Sequence, residues 1–264
     1  MPDVAAVIDD LREESQELDL LVRGLSAVQW AAATPAPGWS VAHQIAHLTW
    51  TDEMALLAAT DPDAFAGEAA KALEAPESFV DRGAEELAVL APDVLFARWR
   101  DGRARLEAVL RAAPAGVRIP WYGPPMSVAS MATARIMETW AHGQDIADAF
   151  GVTRTHTARL RHVARIGVRA RDYAYLVRGI AAPEEEFRVE LIAPDGELLA
   201  FGAEDAPQRV TGPLLDFCLL VTRRAHRDDL AVRATGPDAG QWLDIAQAFA
   251  GPPGPGRAPG QGEK

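Results

Sequence analysis

Over residues 3–25 the apolar side chains Val4, Val7, Ile8, Leu11, Leu18, Leu21 and Leu25 recur at three- and four-residue steps. That period gathers them on one face of an α-helix. Ser15 interrupts the stripe. TPAPGW, residues 34–39, reads as a turn, and Ser40 is a suitable N-cap for a second helix over 41–60, which Asp61-Pro62 ends. Residues 63–90 predict one or two short helices broken near Pro76. Pro92 suits the first turn of a helix over 92–112 that turns Leu95, Trp99, Leu106 and Val109 inward. PAGVRIPWYGPP, residues 114–125, is a loop carrying Trp121 and Tyr122, and long loops bearing aromatic residues often border sites. Ser127 then caps a long helix over 128–150, with Gly151 placed to end it in a left-handed turn. Four long helical segments predict an antiparallel bundle over 1–152.

From residue 153 the pattern changes. An arginine-rich helix is expected over 156–178. FRVELIAPDGELLAFG alternates Val189, Leu191 and Ala193 with polar residues and contains Asp195-Gly196, a hairpin signal. GPLLDFCLLVTRRAH reads as a helix, LAVRATG as a third strand and DAGQWLDIAQAFAG as a closing helix. The fold class is thus α + (α+β): a helical bundle, a small α+β domain over 153–250 and a Pro/Gly-rich tail over 251–264 expected to be disordered.

Composition narrows the function classes. The 264 residues are 48 % apolar and 24 % charged, ordinary for a globular protein, and the net charge is −12, from 38 acidic and 26 basic residues. An acidic surface repels phosphate, so no nucleic-acid partner is expected. No apolar run approaches the ~20 residues that span a bilayer, and the acidic N-terminus does not resemble a secretion signal, so the expectation is a cytoplasmic protein without a membrane partner. A single cysteine, Cys218, excludes an internal disulfide or a Cys-rich zinc site, and its apolar helix points to a core role. The state expected is a monomer or small homo-oligomer.

Two helices carry candidate chemistry. In GWSVAHQIAHLTW, His43 and His47 are four residues apart, and His47 shares a face with Trp50, Met54 and Leu57. An inward histidine there is either a hydrogen-bonded core residue or a ligand. In RIMETWAHGQDIADAF, Glu138 and His142 are also four apart, with Arg135 and Asp145 extending the stripe. That stripe is either a solvated face, with Ala132, Ile136, Trp140 and Phe150 buried opposite, or a ligand row. Bundle metal sites are built from inward side chains on facing helices. His47, Glu138 and His142 together make a two-imidazole, one-carboxylate set suited to a divalent metal, zinc first, with nickel, manganese or iron(II) also served. Three protein ligands leave a coordination position open, as in catalytic sites.

GWSVAHQIAHL followed by METWAHGQDIADA resembles the DinB-type metal-binding bundle, and more narrowly the actinobacterial mycothiol-dependent maleylpyruvate isomerase group. That group joins such a bundle to a small sterol-carrier-like α+β domain, and the resemblance runs to about residue 250. It implies zinc on His47, Glu138 and His142. His43, not a ligand in that group, lies behind the ligands or in the core, and Asp145 either orients His142 or is a helix-surface aspartate. The resemblance also implies mycothiol as a thiol cosubstrate and an arginine from the second domain, at the end of LLVTRRAH, holding a substrate anion. Arg224 falls on that position, with Arg223 where the group carries glycine; the alternative is that both arginines only complement the dipole at a helix C-terminus. Trp50, Trp121, Tyr122 and Arg135 are candidate pocket residues. The reaction expected is isomerisation or transfer on a small, carboxylate-bearing or conjugated molecule. A metal-dependent hydrolase, lyase or cyclase using no thiol, and a non-catalytic small-ligand module, are the alternatives.

Overall fold

The computed structural model describes residues 3–74, 78–251, 254 and 256–260. It forms two compact units, Met1–Thr153 and Arg154–Lys264.

The first unit contains α1 (Val4–Val22), α2 (Ala27–Trp30), α3 (Val41–Thr60), α4 (Pro62–Glu74), α5 (Phe79–Ala88), α6 (Pro92–Ala112), the two-residue strands β1 (Arg118–Ile119) and β2 (Met126–Ser127), and α7 (Val128–Ala149). The four long helices expected from the sequence are α1, α3, α6 and α7. Helix α3 packs on α6 and α7, and α1 packs on α7 and α6. Asp3 caps α1 through a carboxylate oxygen 3.0 Å from the Ala5 amide, and Ser127 caps α7 by accepting from Ser130. Gly151, at φ 63°, closes α7 with its amide on Asp148 and that of Val152 on Ala147.

Three local expectations are corrected. Asp61-Pro62 ends α3 but also starts α4: Asp61 caps Ala64, and Pro62 occupies the first turn, where its missing N–H costs nothing. A short α2 follows α1, held by a reciprocal cap in which the Ser26 hydroxyl accepts from the Gln29 amide and the Gln29 carbonyl from that of Ser26. The loop over 114–125 is pinched by the antiparallel β1–β2 pair, so the Trp121–Tyr122 segment is presented from a hairpin that leads into α7. The break placed near Pro76 lies outside the described residues.

The buried side chains form two apolar clusters. One holds Val7, Ile8, Leu11, Leu56, Phe65, Leu106, Leu110, Met131 and Ile136. The other holds Leu18, Val22, Val41, Ile45, Leu48, Leu95, Trp99 and Ile146. Between them, each helix is buried through polar or small residues: Glu14 and Ser15 on α1, Thr49, Thr51 and Asp52 on α3, Gly102 on α6, and Thr139 on α7. The interruption at Ser15 marks this polar waist.

The second unit contains α8 (Leu160–Arg169), α9 (Arg171–Leu176), β3 (Arg188–Ile192), β4 (Leu198–Phe201), β5 (Arg209–Pro213), α10 (Leu214–Val221), β6 (Arg233–Thr235) and α11 (Pro237–Ile245). The sheet order is β4-β3-β5-β6, with β3 parallel to β5 and the other pairs antiparallel. The hairpin turn carries Gly196 at φ 86°. The single helix expected over 156–178 is divided at Ala170, and β5 lies where no strand was expected. Cys218 is fully buried, its thiol pushed well above its ordinary pKa by burial, as a core residue would be. No helix among the described residues is long and apolar enough to cross a membrane.

Candidate metal centre

His47 projects from the middle of α3, and Glu138 and His142 from successive turns of α7. Their ligand atoms all lie within 4.8 Å of one another. Each imidazole Nε2 stands 3.2 Å from the same oxygen, Oε2 of Glu138. The side chains are 8 %, 19 % and 11 % exposed, so the cluster is nearly dehydrated.

The hydrogen bonding fixes what these atoms offer. His142 Nδ1 donates to the Gln44 carbonyl at 2.5 Å, the Gln44 amide donates to Thr34 Oγ1 at 2.8 Å, and the Thr34 hydroxyl donates to the Trp39 carbonyl at 2.9 Å. With its proton committed to Nδ1, a neutral His142 presents a lone pair at Nε2, aimed at a carboxylate oxygen. Two acceptors so close repel unless a proton or a metal ion lies between them. His47 Nδ1 is buried without a hydrogen-bond partner. Burial alone would push the Glu138 carboxyl up; hydrogen bonds with His142 and His47, and the charges of His47 and Arg135, outweigh it and hold the group well below the usual range. It is therefore an anion at neutral pH. Metal–nitrogen and metal–oxygen bonds of ~2.0–2.1 Å at tetrahedral angles set donors roughly 3.3 Å apart. The two 3.2 Å separations match that edge, so these residues fit a divalent ion.

Aromatic side chains surround the trio. The Trp39 ring stacks on His142, with centroids 5.8 Å apart at 19°, and lies 5.4 Å from His47. Its indole N–H donates to Asp81 of α5 at 3.2 Å. Trp50 lies 6.2 Å from His47 and stacks on Tyr122 at 6.4 Å. Gly83 of α5 lets this happen: a Cβ there would meet the Trp50 ring at 2.6 Å.

The remaining expected site residues are distributed as follows. His43 lies at the start of α3, where its Nδ1 shares the helix cap with Ser40 Oγ at 2.8 Å. Asp145 is 3 % exposed on α7, and the group that accepts from His142 Nδ1 is Gln44. Arg135 is 3 % exposed one turn before Glu138, with Nη1 3.9 Å from Asp52 and its guanidinium 5.7 Å from the Trp121 ring centre. Asp52 is buried, which pushes its carboxyl up to about 6 against the opposing pull of Arg135. Both faces of α7 are thus buried, Trp140 and Ile136 on one side and the polar row on the other, which removes the solvated-face alternative. Gln44 and Trp39 were not singled out from the sequence, although both stand inside the GWSVAHQIAHL segment.

Arg224 lies in the second unit, just beyond α10, and donates through Nη1 to the Thr222 carbonyl at 2.7 Å. Arg223 is the one described non-glycine residue at positive φ, 61°. The Arg223 amide reaches Leu220 and that of Arg224 reaches Leu219, the paired bonds of a Schellman ending. Arg223 therefore occupies the position where glycine is the usual residue.

Comparison with known proteins gives three findings. Residues 11–147 match the family described as the mycothiol maleylpyruvate isomerase N-terminal domain. The chain is 54 % identical over 257 residues to the uncharacterized protein Rv0036c of Mycobacterium tuberculosis, covering 97 % of this chain and 100 % of that protein. Crystal structures of the mycothiol-dependent maleylpyruvate isomerase and of a mutant of it superpose with a TM-score of 0.59 over 89 % of this chain and 95 % of theirs. At 15–16 % identity, those structures establish a shared fold.

Proposed function

The chain belongs to the mycothiol maleylpyruvate isomerase family, and on that premise we propose that it is a metal-dependent isomerase or transferase that uses a low-molecular-weight thiol, mycothiol, on a small organic acid. The observation that carries this reading is the gathering of three metal donors within 4.8 Å, both imidazoles standing a tetrahedral edge from the same Glu138 oxygen, in a nearly dehydrated waist. His47, Glu138 and His142 hold the ion, which by donor type is zinc, with nickel, manganese and iron(II) served by the same set. When bound, such an ion stabilises a thiolate near neutral pH and so supplies a nucleophile for an activated double bond.

The chain's own residues prepare that chemistry. Gln44 fixes the tautomer of His142, so that Nε2 offers a lone pair. Glu138 supplies the negative charge that offsets the cation. Trp39, anchored by Asp81, covers the two imidazoles and limits water. Arg224 is the second unit's candidate for holding a substrate carboxylate, and the left-handed Arg223 supports its alignment with the family's arginine.

Cobalt-substituted protein titrated with mycothiol tests the reading. A thiolate-to-cobalt charge-transfer band is expected in the wild type and not in His142→Ala. A cobalt spectrum indifferent to mycothiol would leave the metal site standing and remove the thiol, in favour of a hydrolase, lyase or cyclase. Arg224→Ala is expected to keep fold and metal while losing at least ~2 kcal/mol of transition-state stabilisation, read as kcat/KM. A change within a few-fold would remove Arg224 from the site.

A further inference from the structure

Beyond the end of α10, a cavity of about 210 Å³ opens within the second unit. Leu220 of α10 and Leu243 of α11 give it an apolar wall, and Arg223, His226, Arg227 and Arg257 line the rest. Arg224 is not one of its lining residues. Arg227 is already matched, by Asp244 and by the Gly240 carbonyl at 2.9 Å. Arg223 is not. It is half-buried, and its guanidinium makes no hydrogen bond or ion pair with any described residue. Burial and the like charge of Arg178 push its pKa down, with no carboxylate among the described residues to oppose them. His226 Nδ1 accepts from the Asp228 amide at 3.2 Å, which leaves the proton of the neutral ring on Nε2, as a further donor.

The backbone is arranged around the same side chain. Arg223 stands at φ 61°, a conformation that strains any residue bearing a Cβ and that glycine adopts freely. Gly256 lies so close that a Cβ there would meet Arg223 Nη2 at 2.7 Å, and the Gly260 amide donates to both Asp229 carboxylate oxygens at 2.9 Å. The C-terminal segment thus lies against the guanidinium and brings Arg257 to the cavity. A cation is favourable at any helix C-terminus, but that needs neither a left-handed residue nor a cavity.

A half-buried cation without an acceptor, facing a cavity, points to an anion that arrives as a ligand. We propose that this cavity binds a phosphoryl dianion, as inorganic phosphate or a small phosphate monoester, held by Arg223 with Arg257 and His226. Arg227 and Asp244 cancel, while Arg223 and Arg178 leave an excess of two positive charges, matched to the −1.5 to −2 that a phosphate monoester carries at about pH 7. The donors come from three separate segments, which suits a tetrahedral group with several acceptor oxygens better than a planar carboxylate on one fork. Asp228, the acid left at the rim, is 73 % exposed and screened by solvent. The volume equals about seven water molecules at ~30 Å³ each, room for a phosphoryl group and a few further atoms but not for a nucleotide. The site involves neither the metal trio nor Arg224, and so stands apart from the proposed function.

Isothermal titration calorimetry of the full chain tests this with inorganic phosphate, glycerol 3-phosphate and acetate at fixed ionic strength. Phosphate is expected to bind, and acetate at least ~10-fold more weakly. Glycerol 3-phosphate binding more tightly than phosphate would make the ligand a monoester, and weaker or equal binding would make it free phosphate. Arg223→Gly restores the residue that the turn prefers, so its unfolding midpoint should lie at or above that of wild type while phosphate affinity falls at least ~10-fold. Arg224→Ala should bind phosphate as wild type does. Phosphate held by a metal ion at the trio would instead survive Arg223→Gly and be lost in His142→Ala. Absence of phosphate binding in the wild type, acetate binding as tight as phosphate, or unchanged phosphate affinity in Arg223→Gly overturns the proposal.

Discussion

The ends of the helical bundle and its waist are made from the same four helices and differ in what each turn buries. At the ends, Ile8, Leu56, Leu106 and Ile136 or Leu18, Ile45, Leu95 and Ile146 pack as an ordinary apolar core. At the waist the same helices bury Glu14, Thr51, Asp52, Arg135 and the ligand trio. Burying polar and charged groups costs free energy that an apolar layer would not. The ends can carry that cost because two separate clusters already hold the helices together. Stability and chemistry are thus assigned to different turns of one set of helices, and changes in the two regions should have different signatures.

The largest effect is expected from the ends. Trp99 is 1 % exposed, and Trp99→Ala should destabilise the protein by ~3–5 kcal/mol in chemical denaturation. Metal content per folded chain should stay unchanged. Loss of metal in a variant that remains folded would show that ends and waist are not separable.

A waist change should instead alter how stability depends on pH. Burial lifts the folded pKa of Asp52 to about 6 from an ordinary 3.8. A raised carboxyl contributes stability that is fully present below its unfolded pKa and is lost as pH rises through its folded pKa. Between pH 4 and 6 the wild type should therefore lose on the order of 3 kcal/mol that Asp52→Asn does not. Glu138, whose pKa is lowered, acts in the opposite sense and at lower pH, so the difference between the two proteins isolates Asp52. Parallel stability curves for wild type and Asp52→Asn over that window would contradict the assignment.

A smaller effect, confined to the site, is expected of Gln44→Leu. It removes the acceptor that orients His142 and should weaken metal affinity ~10- to 100-fold in a competition titration with a chelator. Unchanged affinity would mean that His142 is held by its packing against Trp39 alone.

These contrasts also explain what could be read in the sequence. Helical period and end signals placed α1, α3, α6 and α7, because each residue of an amphipathic stripe reports on the same face. The trio was legible because Glu138 and His142 repeat at helical spacing and His47 stands in an apolar stripe. Gln44 was not, since its partner is 98 residues away and a glutamine beside the stripe has no local signature. Strand β5 was hidden by its Gly212-Pro213 ending and its parallel pairing with β3, which leaves no hairpin signal. The division at Ala170 has no glycine or proline at the break itself, and Gly167 lies within the last turn of α8. The Ser26–Gln29 cap of α2 was readable in principle, as serine followed three residues later by glutamine.

The account's central claim is that His47, Glu138 and His142 hold one divalent ion in a fold that does not need it. Elemental analysis paired with far-ultraviolet circular dichroism tests this on wild type, chelated wild type and His142→Ala. Wild type should carry close to one metal per chain, and the other two should lose most of it with helical content unchanged, since the apolar clusters remain. Full metal in His142→Ala would contradict the site, and unfolding on chelation would make the ion a structural element.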